Sequence, residues 1–287
     1  MQIAGIVVAP DLAVRWKEWF APPEQPFLVT DPLRATLGLA PVESISMELQ
    51  DTYCLYGAET MGRTVMLGRQ ALNALSADVR SELLGIQVAL GRRLVPTLRS
   101  LDASHREVVR GDGNGRRFVW WPETLRAVGD QVLASFVADD LLTSRHDQVA
   151  PGTWERASET LPRAQVLAGT FANRSGPNCF GTVMAAAGVP DAEDRWMLRE
   201  PFEEWLSTAT VPGGVDAEPG TVLVWRDAEG QVVHAAVTIG DGWALHKPSQ
   251  GWMTPRKVLT VAEVKVRARR RGARLSRHTI GVRAASS

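Results

Sequence analysis

Val79, Leu83, Ile86 and Leu90 recur at helical spacing behind Ser76 and an acidic first turn, which predicts a helix over 76–90. Met66, Leu67, Ala71, Leu72 and Leu75 predict a helix ahead of it, and the two together a helical hairpin. Leu125, Val128, Val132 and Phe136 form an apolar stripe behind Pro122 and predict a helix over 122–142. Trp16, Trp19 and Phe20 give residues 11–20 an aromatic helical face, and Asp31-Pro32 opens a further helix that residues 38–41 close. Strands are expected at 1–10, at 27–29, and at 42–49, where Val42, Ile45, Met47 and Leu49 alternate with polar residues. A β-hairpin is expected between 105–109 and 117–121, about the glycine-rich turn 111–115. That turn lacks the Gly-Lys-Ser/Thr ending of a phosphate loop.

Residues 143–152 are polar and end in Pro151-Gly152, where a domain boundary is expected. The reading is a mixed helical and β domain over 1–150, followed by a second domain over 151–287. In the second domain Gly176 and Pro177 break the chain, and Asn178 is a good N-cap residue. A small apolar run follows, and Gly188-Val189-Pro190 stops it, so a short helix is expected from Cys179 onward. Residues 191–207 read as one or two helices, with Trp196, Met197, Phe202, Trp205 and Leu206 as their apolar side. Three strands follow at 221–225, 231–239 and from 243, with turns at 227–230 and 240–242. Val264, Val266 and Ala268 alternate with Lys265, Arg267 and Arg269, which predicts a strand with a basic face. Arg270, Arg271, Arg274 and Arg277 extend the basic run to 265–277 without an acidic residue. The basic run reads either as a solvated edge strand or as a clamp for an anionic substrate or a carrier-protein surface.

The chemistry centres on Cys179. A cysteine in the first turn of a helix meets the positive end of the dipole, which favours the nucleophilic thiolate. His234 and His246 are equidistant from position 240, inside a hairpin turn, so they are expected near one another across the strand pair. One can take the thiol proton and the other can hold the first in its working tautomer. Cys54 has no histidine nearby in sequence and is read as a core residue. His105, His146 and His278 stand alone, and no metal-ligand spacing occurs, so neither a metal nor a cofactor is expected.

The segments Asn178-Cys179-Phe180-Gly181, Pro219-Gly220-Thr221-Val222-Leu223 and the run from His234 to Gly242 resemble, in that order, the motifs of the NlpC-type cysteine peptidases, a branch of the papain-like superfamily. His246, twelve residues after His234, stands where that family keeps its third catalytic residue. The resemblance covers residues 160–285. It implies an α+β fold with a nucleophile helix packed on an antiparallel sheet. It also implies Cys179 as nucleophile, His234 as base and His246 as orienting residue, with Phe171, Asn178, Phe180 and Trp243 as substrate contacts. Phe171 replaces the family's tyrosine and Phe180 its serine.

Lysine plus arginine equals aspartate plus glutamate at 32 each, which gives no drive toward nucleic acid or acidic membranes. No apolar run approaches the length of a membrane span. The first ten residues lack the basic start of an export signal, so a cytoplasmic protein is expected. The leading expectation is a cysteine amidase or peptidase that acts on a small peptide or amide through an acyl-thioester. An acyltransferase of a specialised peptide or amide pathway is the second, and a non-catalytic binding module that keeps the fold is the third.

Overall fold

The computed structural model describes residues 1–139 and 141–281 of an α+β chain. It divides into two compact units, Ala9–Asp139 and Met1–Val8 with Asp140–Ser287. Residues 141–150, expected to belong to the first domain, lie in the second unit. There the Ser144 N–H donates to the Ala4 carbonyl (2.8 Å) and the Arg145 N–H to that of Val258 (2.9 Å). The chain opens with a tight hairpin of β1 (Gln2–Ile3) and β2 (Ile6–Val7).

The first unit holds α1 (Pro10–Phe20), β3 (Glu24–Val29), α2 (Asp31–Leu37), α3 (Met47–Tyr53), β4 (Arg63–Gly68), α4 (Arg69–Ala74), α5 (Ala77–Ala89), α6 (Ala103–Val109), α7 (Pro122–Val128) and α8 (Gln131–Ala138). Strands β3 and β4 pair antiparallel, with Phe27 opposite Val65. Their buried faces join Leu72, Leu83, Leu84 and Trp121 in one core. The fully buried Gln87 amide on α5 clasps the backbone of Leu28. It accepts from the Leu28 N–H (3.1 Å) and donates to the Leu28 carbonyl (2.8 Å).

Several sequence expectations are corrected here. Met66 and Leu67 lie in β4, not in a helix; an apolar run this short carries no decisive period. Residues 42–49 form no strand, because Ser46 accepts from the Leu49 N–H (3.3 Å) and starts α3. Cys54 is exposed, not in the core, and ends α3 at φ 57°. Residues 105–109 lie in α6, where Asp102 accepts from the His105 N–H (2.9 Å), and only isolated bridges such as Gly113 to Phe118 remain of the expected hairpin. The helix expected over 122–142 breaks at Gly129 (φ 98°) into α7 and α8. Asp139 forms an ion pair with Arg93, and its sequence neighbour Asp140 lies outside the described residues.

The second unit is built on a six-stranded antiparallel sheet. Helices α9 (Pro151–Ser158), α10 (Ala164–Leu167), α11 (Cys179–Ala186) and α12 (Arg199–Ala209) precede it. The strands are β5 (Thr210–Pro212), β6 (Pro219–Arg226), β7 (Val232–Gly240), β8 (Trp243–His246) and β9 (Lys257–Thr260). Then come α13 (Val261–Arg267) and β10 (Arg274–Ile280). The strand order is β5-β10-β6-β7-β8-β9. On one face Val222, Val224, Ala235, Val237 and Leu245 pack with Val183 and Met184 of α11. On the other, Leu223, Trp225, Ala236, Ala244 and Leu259 pack with Val264 of α13. A sheet covered on both faces reads as continuous apolar runs, which is why the central strands are conspicuous in the sequence.

Residues 264–269 fall at the end of α13 and just beyond it, so the expected basic strand is corrected to a helix. Thr260 accepts from the Glu263 N–H, the Glu263 carboxylate accepts from the Thr260 N–H, and this capping box fixes the helix. Strand β10 is not an edge, since β5 and β6 flank it. Lys265 and Arg277 both bind the Asp216 carboxylate, which draws two of the seven cations out of the proposed anion clamp. The tail at 284–287 lies outside the described residues. No helix among the described residues is long and apolar enough to cross a membrane.

Candidate active site

Helix α11 begins at Cys179. The Asn178 side chain caps it by accepting from the Gly181 N–H (3.0 Å), while its amide donates to the Met197 carbonyl (2.7 Å). With oxygen and nitrogen both engaged, Asn178 holds the helix in place and its side chain is committed to the fold. Phe180 stacks on Phe202 of α12 at 4.5 Å between ring centres and belongs to the core. These two expected substrate contacts are therefore structural. Phe171 is buried in the segment that leads to α11, and Trp243 stands opposite Gly240 at the far end of β8 from His246.

Gly181 allows the turn Ala192–Asp194 to lie against the start of α11. A Cβ there would overlap the Ala192 carbonyl oxygen, a backbone atom that cannot swing aside. Gly181→Ala is accordingly expected to cost about 1–3 kcal/mol. Urea unfolding checks it, as a lower midpoint with an unchanged slope.

The two histidines meet. His246 Nε2 lies 2.9 Å from His234 Nε2, with the rings edge to face. They do so by a route the spacing does not give. The turn after β7 contains a register shift between Thr238 and Gly240, and Val237 pairs with Leu245. That register sets His246 level with Ala236 and leaves His234 one diagonal step away. A diagonal neighbour on the same face is still within reach of a long ring. Trp225, paired with His234, packs beside it at 5.4 Å between ring centres.

Cys179 approaches β7 one residue further along. The backbone N–H groups of Ala235, Phe180 and Cys179 act on its sulfur in favour of the charged form. Among the described residues no hydrogen bond joins Cys179 to His234; the link to β7 runs through the N–H of the next residue, Ala235. The three side chains are nearly closed off, at 8%, 5% and 3% exposure for Cys179, His234 and His246.

Burial decides the protonation states. It pushes the Cys179 thiol up, against the opposing pull of those N–H groups and of the Lys247 charge. The expected preference for thiolate at the helix start is thus outweighed. Burial, with the Arg270 charge added, pushes His234 down to about 4. Burial and then the charges of His234, Lys257 and Lys247 hold His246 well below the ordinary histidine value. At neutral pH the resting site is therefore a thiol beside two neutral imidazoles. In such a pair one Nε2 donates and the other accepts. His234 serves as a base at Nδ1 only if its own Nε2 carries the proton and His246 accepts it. His246 Nδ1 is then a buried donor without a partner, a cost this tautomer carries.

Lys247 is the residue the sequence reading passes over. It is fully buried directly after His246, and its only signal in the sequence is a lysine at the end of the apolar run Trp243-Ala244-Leu245. Among the described residues no three His, Cys, Asp or Glu side chains gather closely enough to hold a metal ion. Comparison of the chain with models of known protein families, with curated proteins and with solved structures returns no match.

Proposed function

We propose that the second unit is a cysteine acyl-transfer domain of the NlpC-type, papain-like kind, and that its reaction is amide or peptide hydrolysis through a thioester on Cys179. The observation that carries this reading is the 2.9 Å His234–His246 contact on β7 and β8, with the N–H of Ala235, the residue after His234, acting on a cysteine at the first turn of a helix. A core cysteine has no use for a bonded pair of buried, neutral imidazoles beside it. In the proposed mechanism His234 Nδ1 takes the thiol proton as the sulfur attacks the carbonyl. The N–H groups of Cys179 and Phe180, in the unpaired first turn of α11, are the donors available to the oxyanion. His234 then returns the proton to the leaving nitrogen.

A second reading has its own observation. The near-complete burial of the three side chains keeps bulk water from a thioester, which favours transfer to an amine over hydrolysis. Both readings share the acyl-enzyme, so one experiment addresses them. A Cys54→Ala chain is incubated with 4-nitrophenyl acetate at neutral pH and analysed by intact mass. The expected result is a burst of nitrophenolate equal to the protein present and an acetyl adduct that maps to Cys179. Adding a small amine then partitions the adduct: faster loss with amide product supports transfer, and loss independent of amine supports hydrolysis. Absence of an adduct on Cys179 in folded protein defeats both readings and leaves a binding module.

A further inference from the structure

We propose that Lys247 is a positioning residue for the nucleophile: its buried, charged side chain ties loop 249–254 to the segment entering α11 and acts from there on the Cys179 thiol. Lys247 Nζ donates to the Ser249 carbonyl (2.6 Å), the Gly251 carbonyl (3.2 Å) and Thr254 Oγ1 (3.0 Å). Three oxygen acceptors match the three donors of an ammonium group. The loop so gathered reaches back to the approach of the nucleophile. The Gly176 N–H donates to the Gln250 carbonyl (2.9 Å), and the Trp252 N–H donates to Ser175 Oγ (3.2 Å). Ser175 and Trp252 are themselves fully buried. A little further on, Arg256 and Thr170 exchange backbone hydrogen bonds at 2.8 and 3.3 Å. Lys247 thus follows a residue of the histidine pair directly, and acts through the loop on residues three and four positions before Cys179.

The charge bears on the sulfur as well, since it favours the thiolate. The other charged and titratable groups around the thiol are neutral or engaged elsewhere. His234 and His246, on β7 and β8, are neutral rings. Lys257 on β9 acts on His246, and Arg270 acts on His234. Glu193, in the turn packed on α11, is bound by Arg163, and Asp194 acts on Arg256. Glu203 of α12 is bound by Arg226. The rest of α11 has no ionisable residue.

The proposal rests on Cys179 being the nucleophile, but its test does not use acyl transfer. The pH dependence of Cys179 alkylation by iodoacetamide is measured in the full chain with Cys54→Ala, for the parent, Lys247→Met and Lys247→Gln. Methionine removes both the charge and the donors; glutamine removes the charge and keeps an N–H₂ donor for the loop carbonyls. Both variants are expected to raise the alkylation midpoint by about one pH unit, which is a tenfold lower rate at any pH below it. A midpoint that moves in Lys247→Met but not in Lys247→Gln, or in neither, overturns the proposal and leaves Lys247 a loop anchor alone. Should the methionine chain fail to fold, the glutamine chain decides the matter. A failed acyl adduct on Cys179 defeats the proposed function instead, and a shifted alkylation midpoint still stands in that case.

Discussion

His234→Ala is expected to slow acetylation of Cys179 by 4-nitrophenyl acetate by roughly 10²–10⁴-fold at neutral pH, the range a general base contributes. The size follows from the resting protonation states. Burial holds the thiol above its ordinary value and His234 near 4, so neither group carries charge around neutrality. A preformed thiolate would react with the ester whether or not the histidine were present. A neutral thiol must lose its proton during the attack, and His234 is the base that the proposed mechanism assigns to it. The pH profile carries the same signature. The rate should hold through the mildly acidic range and fall only as pH drops toward about 4, where His234 takes up a proton. A profile that turns over near the ordinary histidine value, or a His234→Ala chain acetylated as fast as the parent, would sink the general-base mechanism. Cys54 must be replaced throughout, because it is exposed and would consume ester itself.

The parts of this site legible in the sequence are those governed by local rules. Asn178 as a cap, Cys179 in the first turn and the stop at Gly188 all follow from helix-end chemistry, and α11 takes that form. Strands β6 to β8 were visible because a sheet buried on both faces leaves contiguous apolar runs. What local rules could not supply was register. The turn is centred on Asp241-Gly242 and not on position 240, and the shift between Thr238 and Gly240 then sets the two histidines on one face as a diagonal pair; nothing in the spacing of His234 and His246 reports either. Similar limits account for the first unit. Arg63–Gly68 becomes a strand because Glu24–Val29 offers it a partner, and residues 103–109 become a helix because Asp102 caps them. The basic run misled for a related reason: alternation over six residues is also compatible with one turn and a half of helix, and the Thr260–Glu263 capping box decided between them. Lys247 shows the converse case. Its role depends on a loop folding back onto Ser175 and Gly176, residues more than seventy positions earlier, which no window along the chain can contain.

Acidification should destabilise the second unit well before its ordinary carboxylates protonate. Unfolded histidine titrates near 6.5, whereas folded His234 titrates at about 4 and His246 also lies well below its ordinary value. Between those values the unfolded chain binds a proton that the folded chain refuses, so stability rises with pH across the window and is lost as pH falls through it. The full stability is present above about 6.5, and His234 alone should remove about 2 kcal/mol between pH 6.5 and 4.5. His246 adds to this loss in the same direction, and the two are coupled through their shared hydrogen bond. Hydrogen exchange of the β7 amides, corrected for intrinsic rate, reports the opening free energy of that sheet. The same measurement on a His234→Asn, His246→Asn chain separates the histidines from carboxylates held low by ion pairs, such as Asp216 and Glu203. A slope that disappears in the double variant assigns the acid sensitivity to the buried neutral pair. A slope that survives there returns it to the carboxylates, and means that the two rings are not held neutral by burial at all.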